Sequence, residues 1–281
     1  MALKSSAVKI LTGLLRPGWF AGSVSCFLRH LLRFISPRRK IAARNLEIAL
    51  PDRTPEERRL ILRGTYDHLV WVGVEFMALQ RDPGQVLKWM EADDASGLDV
   101  EGGAIIIAAH VGNWELLAAW LAQSGYKITA IVREPDDAGE RDAISEMRAR
   151  VGVSVLPKTA PMTRAISVLR RGELLGIMPD QHGGVEGIQV PLFGLETSTS
   201  KGAAIFAYLT GKPLIPLSSR RISPFRHKIT VGAPIEWKHL GSRDETIYGI
   251  TLLINRAIEG MIREAPDQWL AQHKRFKEHY R

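Results

Sequence analysis

The stretch Ile105-Ile106-Ile107-Ala108-Ala109-His110-Val111-Gly112-Asn113-Trp114-Glu115-Leu116 decides the fold of this 281-residue chain. The apolar run 104–109 reads as a buried strand, and a helix begins within three residues of His110. A strand that runs directly into a helix belongs to a βαβ unit. In open α/β sheets ligands gather outside the carboxyl ends of the strands, and His110 stands at such an end.

Working outward, the same alternation continues toward the C-terminus. Short apolar runs at 127–132, 153–156, 174–178 and 213–218 alternate with amphipathic stretches at 113–123, 139–150, 161–171 and 199–209. Strands separated by helices of this length imply an α/β fold with a mostly parallel sheet flanked by helices. A further strand fits 227–231, a closing helix fits 245–263, and a Gly-rich loop follows 178. Upstream the pattern is helical. Residues 37–50 and 55–80 read as helices, the second with Thr54 as N-cap, Pro55 in its first turn and Arg81-Asp82-Pro83-Gly84 as its stop.

Charge divides the chain unevenly. Residues 1–45 hold nine of the 38 Lys and Arg and no acid, so the other 29 basic side chains face 30 acids and the net charge of +8 is an N-terminal property. Evenly spread basicity would favour a nucleic-acid footprint; this asymmetry favours a docking segment and no nucleic-acid partner. The segment is also apolar, with Leu11, Leu14, Leu15, Trp19, Phe20, Val24, Phe27, Leu28, Leu31, Leu32, Phe34 and Ile35. Its longest charge-free run, between Arg16 and Arg29, is 12 residues, below the roughly 18 that a spanning helix needs. Residues 1–36 therefore read as a helical membrane-docking extension, lying on an anionic surface without crossing it, and 37–281 as one α/β domain. A helix packed on its own domain is the competing reading. Cys26 is the only cysteine, which excludes an intrachain disulfide and a cysteine metal cluster.

His110 and Glu115 are the candidate catalytic residues. On one continuous helix they would lie about 140° apart, but with His110 in the turn and Glu115 in the first helical turn, the carboxylate can fold back to the imidazole. A carboxylate on one ring nitrogen fixes the tautomer and leaves the other nitrogen to deprotonate a hydroxyl. A capping histidine beside a first-turn acid explains the same pattern without catalysis. Arg133 and Asp180, each at a strand end, and Asn113 in the turn are the candidate substrate-binding residues. His182 would be needed for any metal site with His110 and Glu115, at a spacing too loose to assign one. Neither a phosphate-loop glycine pattern nor a Gly-x-Ser-x-Gly elbow is present.

The block His110-Val111-Gly112-Asn113-Trp114-Glu115-Leu116 resembles the His-x4-Glu/Asp motif of the bacterial lipid A biosynthesis acyltransferase family, the late lauroyl and myristoyl transferases and their relatives. Lys40-Ile41-Ala42-Ala43-Arg44-Asn45-Leu46 with Pro51-Asp52, Arg133, Met178-Pro179-Asp180-Gln181, Val190-Pro191-Leu192-Phe193-Gly194 and the segments 203–216 and 269–276 extend the resemblance over most of 38–277. Two features depart from the family pattern. The N-terminal hydrophobic helix is interrupted by Arg16, Pro17, Gly18 and Arg29, and Glu134 displaces the proline after Arg133. The resemblance implies a glycerol-phosphate acyltransferase-like fold and transfer of a fatty acyl group from an acyl thioester to a glycolipid hydroxyl. It implies acyl carrier protein (or acyl-CoA) as donor, a lipid A precursor or related glycolipid as acceptor, and a place at the cytoplasmic face of the inner membrane. In that reading neither cofactor nor metal is required. A metal-dependent hydrolase using His110, Glu115, Asp180 and His182, and a noncatalytic basic protein binding membrane or polysaccharide, are the alternatives the residues alone leave open.

Overall fold

The computed structural model describes residues 19–98 and 100–280. Lys4, Lys9, Arg16 and the apolar residues of the first 18 positions lie outside them. Among the described residues four α-helices come first: α1 (Trp19–Ile35), α2 (Arg39–Ala49), α3 (Pro55–Leu79) and the short α4 (Val86–Trp89). There follow β1 (Met90–Ala92), β2 (Ile105–Ile107), α5 (Trp114–Gln123), β3 (Ile128–Val132), α6 (Ala138–Arg150), β4 (Ser154–Pro157), α7 (Met162–Arg170) and β5 (Leu174–Ile177). The chain closes with β6 (Ile188–Leu192), β7 (Leu195–Thr199), α8 (Gly202–Thr210), β8 (Leu214–Ser223), β9 (Arg226–Val231) and α9 (Arg243–Glu264).

Seven strands form one sheet in the order β1-β9-β8-β2-β5-β3-β4. Every neighbouring pair is parallel except β8 and β9, a hairpin that turns the sheet's direction on one side. The strand at 105–107 is central, paired with β5 on one edge and β8 on the other. Alternation of its side chains splits the core in two: Ile105 and Ile107 face a cluster built with α2, α7, α8 and α9, while Ile106 faces one built with α3, α4 and α5. Both faces of the sheet are thus covered, as a parallel sheet requires.

Local sequence signals set the helix starts. Thr54 accepts from the Glu57 amide while Glu57 bonds back to the Thr54 amide, and Ser242 and Glu245 repeat this reciprocal cap at α9. β6 and β7, where the sequence pointed to a loop and a turn, form a separate antiparallel hairpin. Its tight turn places Phe193 at φ 50° and Gly194 at φ 77°, the two consecutive positive values that match the twist of a hairpin.

The apolar stripe of α1 divides. Val24, Leu28 and Leu32 pack against the core beside α3, whereas Phe27, Leu31, Phe34 and Ile35 are exposed, Phe34 by 91%. Among the described residues no helix is long and apolar enough to cross a membrane.

Candidate active site

His110 follows β2 at its carboxyl end, in the turn that leads to α5. That turn is tightly specified. Gly112 takes φ +62°, and a Cβ there would lie 1.7 Å from the Ser219 carbonyl oxygen, so only glycine fits against β8. The segment after α9 is laid against the same turn: the Leu270 amide donates to the His110 carbonyl at 2.8 Å and the Gly112 amide to the Gln268 carbonyl at 3.1 Å.

The imidazole meets Asp180, just beyond the carboxyl end of β5, the strand adjacent to β2. His110 Nδ1 lies 2.8 Å from Asp180 Oδ1, and Trp269 Nε1 donates to Asp180 Oδ2 at 3.4 Å. An ionised carboxylate only accepts hydrogen bonds, so the proton between them belongs to Nδ1 and Nε2 carries the lone pair. Beside Nε2 stands the Gln181 amide nitrogen at 3.5 Å, and the Trp114 ring lies edge-on to the imidazole at 5.0 Å. Asp180 is 3% exposed while the His110 side chain retains 16%. Burial would push the His110 pKa down, but the Asp180 charge and hydrogen bond outweigh it and hold the imidazole above its ordinary value. Asp180 is correspondingly held below the usual carboxylate value by His110 and the Trp269 bond, against the opposing effect of its burial.

Glu115 does not make the bond expected of it. Both its oxygens are taken by Arg148 of α6, at 3.0 Å from Nε and 2.6 Å from Nη2. A planar guanidinium matches a carboxylate in two parallel bonds, and α5 and α6 bring the two side chains face to face. Glu115 bears on His110 through space, raising its pKa, with Arg148 opposing it.

Four further expectations are corrected or narrowed. Asn113 does not face substrate: it is fully buried, its side chain caps α5 through the Leu116 amide and donates to Glu75 Oε2 at 2.9 Å. Asp180 binds His110 and Trp269, which leaves it no surface for a ligand. Arg133 is 81% exposed just after β3, with Asp136 at 3.7 Å, and is not brought to the His110–Asp180 pair. The hydrolase set does not converge, because His182 reaches Glu278 at 2.8 Å while Glu115 holds Arg148.

Behind the turn lies a second polar cluster. Glu75 of α3, with no exposed surface, accepts from Arg221 at 2.9 and 2.8 Å, from the Phe225 amide at 3.0 Å, from His227 at 3.1 Å and from Asn113. His68 takes a bond from Arg221 at 2.5 Å and donates to the Gly112 carbonyl at 2.9 Å. These residues brace the His110 turn from within. Sequence reasoning missed them, as it missed Arg148, because their partners lie between 33 and 153 residues away.

Residues 9–278 match the bacterial lipid A biosynthesis acyltransferase family.

The chain belongs to that family.

It is an acyltransferase of glycolipid biosynthesis by that membership. Among similar proteins, the Lipid A biosynthesis lauroyltransferase of Escherichia coli (strain K12) is 28% identical over 267 residues, covering 90% of this chain and 84% of that protein. The Lipid A biosynthesis palmitoleoyltransferase of the same strain is 23% identical, covering 87% and 80%. The Phosphatidylinositol mannoside acyltransferase of Mycolicibacterium smegmatis is 29% identical over a shorter span, 43% of this chain and 41% of that one. The solved structure of the 1-acyl-sn-glycerophosphate acyltransferase PlsC from Thermotoga maritima aligns with 86% of this chain and 96% of its own, at 13% identity and a TM-score of 0.42.

Proposed function

We propose that this acyltransferase moves a fatty acyl group from an acyl thioester, carried by acyl carrier protein, to a hydroxyl of a lipid A precursor or a related glycolipid. The observation that carries the chemistry is the 2.8 Å contact of Asp180 with His110 Nδ1, which leaves Nε2 as a basic nitrogen at the open end of the parallel strands. Nε2 takes the proton of the acceptor hydroxyl as its oxygen attacks the thioester carbonyl. The C–O bond forms, the tetrahedral intermediate collapses with loss of the C–S bond, and the imidazolium returns the proton to the departing sulfur. Asp180 stabilises the transient imidazolium. In this reading the neutral Glu115–Arg148 pair fixes the surroundings of His110, and Arg133, exposed beyond the pair, meets an anionic group of either substrate.

The protein works on a membrane surface in this reading, at the cytoplasmic face of the inner membrane and without crossing it. Phe27 and Ile35, 68% and 60% exposed, stand with Phe34 on the side of α1 turned away from the core, and Arg29, Arg33, Arg38, Arg39 and Lys40 lie within α1 or just after it in sequence. Apolar insertion combined with attraction to anionic lipid is how such helices dock. The deciding experiment is mass spectrometry of cellular glycolipids with and without this protein. Loss of one O-linked acyl chain from a glycolipid, restored by the wild-type chain and not by His110→Ala, is the expected result. An unchanged glycolipid profile overturns the reading.

A further inference from the structure

We infer that the cavity between α2 and the C-terminal segment is a subsite for a phosphorylated lipid headgroup, the anchor of the acceptor. The inference rests on the reading that the acceptor is a glycolipid. The cavity has a volume of about 780 Å³ and its walls include Lys40, Arg44, Lys274, Glu278, His279 and Tyr280. Three of these six carry fixed positive charge, and they arrive from two separated parts of the chain.

The cations are placed at a cost that an anion would offset. Lys40 and Arg44 stand four apart on α2, where like charges share one face and repel. The opposite face of that helix is buried through Ala42, Asn45, Leu46 and Ala49, so the charged face points outward, and both cations line the cavity there. Among the described residues Lys40 and Lys274 make no ion pair. Arg44 meets Glu47 at 3.1 Å with both side chains half exposed, a pairing that water screens and a ligand displaces readily. The one carboxylate in the wall, Glu278, is turned to His182, to the Thr197 hydroxyl and to the Ser198 amide. Lysine and arginine on one concavity bind a phosphate by charge-assisted hydrogen bonds.

The cavity is tied to the catalytic centre. Asn45, next to Arg44, donates to the carbonyls of Ala271 and His273 at 2.7 Å each. The same C-terminal segment reaches the site, where Trp269 Nε1 donates to Asp180 at 3.4 Å and the Leu270 amide to the His110 carbonyl at 2.8 Å. His182, two residues after Asp180, holds Glu278 in the cavity wall. A headgroup phosphate in this cavity would fix the position of the sugar relative to His110, which is how remote binding orients a reacting hydroxyl.

The test measures binding in the absence of any acyl donor, by calorimetry in neutral detergent micelles. The probes are a diacylated glucosamine lipid bearing a phosphate monoester and the same lipid after phosphatase treatment. The intact protein should bind the phosphorylated lipid more tightly. Lys40→Gln with Lys274→Gln should lower that affinity by roughly 10–100-fold and bring the discrimination between the two lipids close to one. Both lysines are exposed, and an unchanged thermal midpoint confirms that the variant is folded. Equal binding of the two lipids by the intact protein, or full discrimination by the variant, overturns the inference. So does displacement of the lipid by inorganic phosphate at the same concentration, which would mark a free-phosphate site. A lysine variant that loses affinity for acyl carrier protein and not for the phosphorylated lipid also overturns it, assigning the cavity to the donor. If the lipid binds as stated and no acyl thioester yields an ester, the acyl-transfer reading fails and the subsite stands. If transfer proceeds and the variant keeps its discrimination, the subsite fails and the reading stands.

Discussion

Two buried carboxylates, Asp180 and Glu75, each meet histidine on opposite sides of one turn, and they do opposite things. Glu75 is saturated: an arginine, a histidine, an asparagine and a backbone amide fill its oxygens, and His68 beside it is also bonded at both nitrogens. Asp180 holds one histidine, whose second nitrogen stands at the open end of the sheet with only a distant amide near it. The histidine pKa values separate accordingly. Burial, with Arg221 next to it, pushes His68 down to about 3, whereas Asp180 outweighs burial and raises His110. His227 on Glu75 also leaves one nitrogen without a partner, but that ring is wholly buried, whereas the His110 ring is partly exposed and has a lone pair to give. This difference supports the proposed role of His110 independently of its motif.

The comparison breaks most visibly at Glu75. Glu75→Ala leaves the Arg221 guanidinium buried without its counter-charge, and breaking a buried pair from one side costs about 3–5 kcal/mol. Thermal or urea denaturation should show that loss, whereas Asp180→Asn should be distinctly less destabilising. Equal destabilisation by the two would erase the distinction between brace and site.

Asp180→Asn acts on chemistry instead. The asparagine amide would donate to Nδ1, forcing the proton onto Nε2, so turnover should fall by roughly 10²-fold or more. The residual activity should rise with pH at a lower midpoint than in the wild type, because the imidazole loses the charge that raises its pKa. Glu115→Gln should move the midpoint in the same direction but less, since Glu115 touches Arg148 and reaches His110 only through space. A larger shift for Glu115→Gln than for Asp180→Asn, in a pH–rate series on the purified variants, would reverse the assignment.

The smallest effect is on acid stability. His68 binds its proton only near pH 3 when folded, against an ordinary value of 6.5. The unfolded chain therefore holds more protons in that window, and the stabilisation present above pH 6.5 is lost as pH falls toward 3. His273, pushed down to about 4 by burial in the first place, adds to the same slope, and His110, raised, contributes in the opposite sense above its ordinary value. Replacing His68 with Gln should flatten denaturation midpoints measured across pH 6.5 to 4. A slope as steep as in the wild type would show that His68 is not held neutral.

Much of this was legible in the sequence because it depends on local periodicity. The strand at 105–107, the helix beginning at Trp114 and the alternation through β8 all follow from apolar spacing and caps. The β6–β7 hairpin escaped because its turn, Phe193-Gly194, lacks the Asn-Gly or Asp-Gly pair that announces such turns. His110 was legible from its place at a strand end. Its partner was not: Glu115 is near in sequence and Asp180 is 70 residues away, and only the adjacency of β2 and β5 decides between them. Asn113 stood in the right turn but points inward, a distinction of side-chain direction that no spacing carries. The apolar residues of α1 carry no mark of which ones pack inward, and contact with α3 divides them.

The most direct measurement is turnover of purified His110→Ala with an acyl thioester and a glycolipid acceptor, taken beside its denaturation midpoint. Loss of roughly 10²–10⁴-fold in rate with a near-unchanged midpoint is the expected result, since a partly exposed side chain at a strand end contributes little packing. Turnover near the wild-type rate in a folded variant would contradict the assignment of His110 as the base.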